Sequence, residues 1–267
     1  MQDTLHTVFC DYFDKMIAMR NLLLVWILLL TTGCSSFFDV LGGNFNSGPI
    51  PAIETGLSPE AQELVNQAYE GVNEPFDHHV HLIGKNNGNY VNPDMQSLLH
   101  PMQYIRYRIY ISAGGITNLD EADQQYVERL VSLIRSIPYQ GKYALYAMDK
   151  AYNIDGTPDL EATPFHIPNE NMMRVVEQSP DLFVPVISVH PYRSDAIEAL
   201  DRWAAKGVRF IKWLPNSMRI DPSHDLTTRF YEKMLEHNMV LLVHSGEESA
   251  VASASQRLGN PLLLRKP

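Results

Sequence analysis

The chain has 267 residues and a formal net charge of -10, with the hydrophobic and charged fractions (45% and 19%) of an ordinary globular protein. It is long enough for one large domain or two small ones. Its basic residues form no run, which argues against a nucleic-acid surface, and its two cysteines, Cys10 and Cys34, argue against a disulfide framework or a cysteine zinc site.

Residues 22–30 are an unbroken apolar run, preceded by Lys15 and Arg20 and followed by Thr31-Thr32-Gly33-Cys34-Ser35-Ser36. A basic flank, a short apolar core and a small-residue site make a secretory signal peptide. The run is about half of the ~20 residues a spanning helix needs. The small residues before Cys34 resemble a bacterial lipoprotein box, with Thr31 where that box usually has leucine. This implies a membrane-anchored lipoprotein on the periplasmic side of a bacterial envelope, lipidated at Cys34. An uncleaved anchor or a buried helix is the competing reading. Residues 35–57, rich in Ser, Gly, Asn and Pro, read as a flexible linker, and residues 58–267 as the folded domain.

Ser58-Pro59-Glu60 opens a helix with a cap residue and a first-turn proline, running to about residue 70. The short strand Phe76-Asp77-His78-His79-Val80-His81 follows. Side chains alternate along a strand, so Asp77, His79 and His81 share one face. Two imidazoles on one face can reach a single metal ion, and neutral imidazole suits zinc. A polar strand end with hydrogen-bonded histidines is the other reading. Residues 85–101 form a polar excursion that looks like a loop over the mouth of something.

Helices are expected at 102–112 and 120–136, then a strand at 143–148 and a helix at 169–178 capped by Asn169. A strand at 183–189, a helix at 194–206 stopped by Gly207, and a strand at 208–213 follow. A helix at 227–237 and a strand at 239–243 complete the pattern. Apolar strands separated by amphipathic helices imply an α/β fold with a parallel sheet covered by helices, either an open doubly wound sheet or a (β/α)8 barrel. No glycine-rich fingerprint follows the first strand, so a dinucleotide site is not supported. In a barrel, functional residues gather at the C-terminal strand ends. Those ends carry Asp77, His79 and His81; Asp149-Lys150; His190-Pro191-Tyr192; Lys212-Trp213; and His244 through Glu248.

With these motifs in this order, the chain resembles the amidohydrolase superfamily, in particular the amidohydrolase-related (amidohydrolase 2-like) metal-dependent TIM-barrel hydrolases. The matching pieces are the strand-one motif, Gly207 through Pro215, and Val240 through Glu247, within about residues 60–267. The resemblance implies His79, His81 and His244 as metal ligands, with one or two divalent ions, most naturally Zn2+. It places Lys212 where some relatives have a carboxylated, metal-bridging lysine; a partner of Asp149 or Glu247 is the alternative role. His244 read without the family is a buried histidine satisfied by backbone. Asp77 would orient the site, and Asp149, His190, Trp213 and Glu247 stand as substrate-side or supporting residues. For His190 a cap or loop role before Pro191 competes, and for Trp213 and Tyr192 packing is the default.

The family takes a further histidine from strand six and a general-base aspartate from strand eight. This chain ends at Asn260 to Pro267, where strand six would begin. The expectation is an incomplete barrel with strands one to five, and a truncated metal-dependent hydrolase of C–N or C–O bonds in small molecules, with little or no turnover. The alternatives are a decarboxylase of the same superfamily, or a non-catalytic lipoprotein that binds a ligand or partner.

Overall fold

The structure, a computed structural model, describes residues 57–137, 139–251 and 255–265. The anchor segment with Cys34 and the linker as far as residue 56 lie outside the described residues.

Five strands form the central sheet: β1 (Phe76–His81), β2 (Lys142–Tyr146), β3 (Phe183–Ile187), β4 (Phe210–Trp213) and β5 (Val240–Val243). They pair in chain order and are all parallel, and the sheet curls into a half-barrel. A parallel neighbour needs a crossover, and helices supply it. The helix α1 (Pro59–Tyr69) precedes β1, and α2 (Pro101–Ala113) and α3 (Ala122–Ser136) join β1 to β2. Next come α4 (Asn169–Gln178), α5 (Ala196–Ala205), the one-turn α6 (Pro215–Met218) and α7 (Thr228–Glu236).

Local sequence explains these elements. The Ser58 hydroxyl accepts from the Ala61 N–H, capping α1 ahead of Pro59. In α5 the buried residues Ala196, Ala199, Leu200, Trp203 and Ala204 fall at helical spacing and form one stripe against the sheet. Gly207 follows α5 at φ +85°, a conformation that favours glycine and lets the Val208 N–H reach the Trp203 carbonyl. In α4, Asn169 does not cap the helix: Pro168 holds the cap position. The Asn169 side chain instead accepts from the Ser188 N–H and donates to the Ser188 carbonyl, tying α4 to the end of β3.

The two sheet faces differ. Leu145, Ile187, Ile211 and Trp213 point outward into the main core beneath the helices. Ala144, Tyr146 and Val186, with Phe210 and Leu242 against them, line the inner side. Lys212 and His244 follow the inner residues Phe210 and Leu242 by two positions, so strand alternation puts them on the inner side too.

The excursion after β1 is not free loop. Its Tyr90–Val91 pairs antiparallel with Phe165–His166. Asp123 at the start of α3 accepts from the backbone N–H groups of Lys85 (2.6 Å) and Asn86 (3.0 Å) and from the side chains of Asn87 and Asn89. At the other end, where the sequence suggests the approach to a sixth strand, the chain makes 3-10 turns over Gln256–Gly259 and Pro261–Arg265.

Candidate metal centre

A cavity of about 390 Å3 sits over the C-terminal ends of β1, β4 and β5. His79, His81, Lys212, His244 and Glu248 are among its polar lining residues, with Lys85 at the start of the excursion and Tyr107 and Tyr110 on α2. The rest is mostly apolar, including Val91 and Met95 from the excursion and Ile111 from α2. Ligand sites have this composition: apolar walls and a few convergent polar groups.

The histidine pair does not stand on a regular strand. Asp77 pairs with Tyr143 but Val80 pairs with Leu145, so β1 carries one extra residue between them. Strict alternation from Asp77 to His81 is therefore broken by a bulge, a device that re-aims side chains. Asp77, exposed, accepts from the His79 N–H at 2.8 Å and steadies the bulge. The two Nε2 atoms of His79 and His81 then lie 2.9 Å apart. Both rings pack on Tyr146, with centroids at 5.1 and 5.4 Å, and the Tyr146 hydroxyl donates to the His78 carbonyl.

This spacing is that of a hydrogen bond between the two rings, and a small opening would let both reach one ion. Two nitrogens each about 2.05 Å from a tetrahedral ion would stand roughly 3.3 Å apart, and about 2.9 Å apart at a right angle. Ligation also needs neutral imidazole. Burial first, then the neighbouring Lys212, push His79 below the usual histidine value. Burial, His79, Lys212 and His244 push His81 down to about 4.

Lys212 is 3% exposed, and burial lowers its pKa to about 8 against the opposing pull of Glu248. Its Nζ lies 5.0 Å from the Tyr146 ring centre, a cation–π contact. Among nearby carboxylates Glu248 exerts this pull, while Asp149 is taken up by Arg193. Glu247 is exposed, and only its carbonyl approaches His244, at 3.4 Å. The Glu248 carboxylate lies 3.7 Å from His244 Nε2 and is 9% exposed. His244 therefore lines the cavity, half-buried, with its Nε2 shared between the Glu247 carbonyl and the Glu248 carboxylate. Among the described residues, no three His, Cys, Asp or Glu side chains converge as a ready cation cage. The convergent unit is the His79–His81 pair, with His244 and Glu248 elsewhere on the same cavity wall.

The remaining candidates belong elsewhere. Asp149 accepts from the His190 N–H (2.9 Å), the Lys150 N–H (2.9 Å) and Arg193 (2.8 Å). His190 is fully buried; its Nε2 meets the Met218 carbonyl at 2.8 Å and its Nδ1 accepts from the Tyr192 N–H at 3.2 Å. Both ring nitrogens are engaged, so His190 has no lone pair free for an ion. Trp213 does not line the cavity: it is 0% exposed, donates from its indole N–H to the Val189 carbonyl, and packs on Phe230 and Tyr231 of α7. Tyr192 is buried and accepts from the Asp221 N–H.

Two residues of the site escape the sequence reading: Tyr146, packed against the histidine rings, and Tyr107 on the cavity wall. Tyr146 is reachable in hindsight, because it sits two positions after Ala144 on the face opposite Tyr143 and Leu145. Tyr107 carries no local signal; its place follows from how α2 lies over the site. Its hydroxyl is buried and has no hydrogen-bond partner among the described residues.

Comparison with protein-family models, with curated proteins and with solved structures finds no match to this chain.

Proposed function

We propose that the chain carries the metal-binding half of a (β/α)8 barrel and serves metal-dependent hydrolysis of a C–N or C–O bond in a small, largely apolar molecule. The observation that carries this reading is the 2.9 Å approach of the His79 and His81 Nε2 atoms beside an apolar cavity at the C-terminal strand ends. Five parallel strands in chain order with helical crossovers support the barrel reading. The amidohydrolase-related resemblance agrees with it in placing His79, His81 and His244 at strand ends.

In this reading His79 and His81 would hold a divalent ion, most naturally zinc, and the resemblance gives His244, farther along the cavity wall, as a third ligand. A divalent ion there supplies Lewis-acid chemistry, lowering the pKa of water toward ~7 and polarising a carbonyl. The bulge and Asp77 orient His79, and Tyr146 buttresses both rings. Glu248 places a carboxylate beside His244 and pulls on Lys212, offsetting part of the positive charge at the cavity. The apolar walls exclude water from the bound molecule and select its non-reacting part. The N-terminal sequence supports an exported, lipid-anchored protein facing the periplasm, with no role in nucleic-acid binding.

The test is hydrolysis of a panel of amides, esters and lactones with apolar substituents by the zinc-loaded chain, where turnover should be slow because the general base that the resemblance places on strand eight is not among the five strands. Turnover should vanish with chelator, return with zinc, and be absent in His81→Ala. Release of carbon dioxide from carboxylate substrates, without hydrolysis of the panel, would move the protein to the decarboxylases. Zinc binding with neither reaction would leave a binding role.

A further inference from the structure

The cavity roof has an exposed apolar tip. The 3-10 turn Pro93–Gln96 carries Met95 into the cavity wall, and α2 carries Tyr107 and Ile111. Between them the chain turns outward through Leu98, Leu99, His100, Pro101 and Met102. Leu98 is 75% exposed, Leu99 88% and Met102 66%. Single exposed leucines are ordinary, but three large apolar side chains within five residues mark an interaction surface.

We infer that this tip docks into a lipid bilayer. Three observations point to lipid rather than to a protein groove. From Met95 to Ile105 the chain has no Asp, Glu, Lys or Arg, although the whole protein carries a net charge of -10. The only titratable groups there are His100, which faces Asp94 at 3.5 Å, and Tyr104, an aromatic suited to the membrane interface. The second observation is the N-terminal sequence. A lipid at Cys34 followed by the segment up to residue 57 would hold the domain near the membrane, since about 23 residues of coil-like composition would span roughly 26 Å. At that reach a small apolar tip gains effective concentration without needing high affinity of its own. The third is position: the tip joins the two roof elements of the cavity, so insertion would bring the roof to the acyl boundary. Docking rests on the lipoprotein reading of the sequence but not on the metal reading.

Hydrogen exchange on the full chain, with and without vesicles of phosphatidylethanolamine and phosphatidylglycerol, tests this. Amides of residues 97–104 should exchange about tenfold more slowly with vesicles. Those around Leu235, a leucine 77% exposed on α7, should not change. The triple variant Leu98→Gln, Leu99→Gln, Met102→Gln should bind vesicles through its N-terminus yet lose the slowing. Unchanged exchange at 97–104 in vesicle-bound wild type overturns the proposal. Slowing that needs no vesicles and grows with protein concentration also overturns it, assigning the tip to a second copy.

Discussion

Two polar clusters stand at strand ends of the half-barrel, and each combines histidine, a carboxylate and a cation. One is Asp149, His190 and Arg193 at the ends of β2 and β3; the other is His79, His81, Lys212, His244 and Glu248 around the cavity. They differ in closure. In the first, Asp149 is 3% exposed and receives two backbone N–H groups and a guanidinium, and His190 spends both ring nitrogens on the backbone. In the second, the His79 and His81 imidazoles meet each other through Nε2 among the described residues, and Lys212 lies over a ring face within the pull of Glu248. A closed polar cluster specifies a fold, whereas an open one facing a cavity has capacity left for a ligand.

The largest effect that can break this contrast is removal of the cation in the closed cluster. Arg193→Ala should destabilise the protein by about 3–5 kcal/mol in chemical denaturation, because Asp149 is left charged and buried. In the metal-free protein, His79→Ala should shift the denaturation midpoint far less than Arg193→Ala, since His79 is exposed.

Acid should act through the closed cluster as well. Burial holds His190 near pKa 4, against 6.5 for an ordinary histidine. Between those values the unfolded chain binds a proton that the folded chain does not. His190 is then without penalty above pH 6.5, and stability falls as pH drops toward 4, by about 3 kcal/mol. His81, at about 4, adds the same sign. His190→Gln should flatten the slope of stability against pH in this window even though it lowers stability at pH 7.

Lys212 has the opposite direction of relief. Its pKa falls from 10.5 to about 8, so the folded chain releases its proton before the unfolded one. The group destabilises the fold at pH 7, and the penalty shrinks as pH rises from 8 to 10.5. Lys212→Met should therefore stabilise the metal-free protein by about 2 kcal/mol at pH 7, a gain that fades toward pH 10.5. The smallest effect concerns the roof. Tyr107→Phe removes a hydroxyl without a partner among the described residues and should raise the unfolding free energy by about 1 kcal/mol.

Much of the architecture was legible because it rests on repeating physical patterns. The alternation of apolar strands and striped helices located all five strands and their crossovers, and Gly207 marked the end of α5. Boundaries were less legible. Asn169 looks like a helix cap from its type, but its amide serves a tertiary contact with Ser188, which no local pattern announces. The candidate site divides in the same way. The His79 and His81 pairing could be read from spacing, although the bulge that aims them could not. Distinguishing Glu248 from Glu247, or an outward Trp213 from an inward Lys212, requires knowing which face the helices cover. Asp149 and His190 look equivalent to the cavity residues in sequence because closure of their hydrogen bonds is a property of the packed fold.

The most direct test of the open cluster is its zinc content. The full chain, equilibrated with zinc and dialysed, should retain about one ion per chain by elemental mass spectrometry. His79→Ala and His81→Ala should each lose it, while His237→Ala, which removes a surface partner of Asp201, should keep it. A wild-type chain that retains no zinc, or a pair of variants that retain it undiminished, would contradict the account.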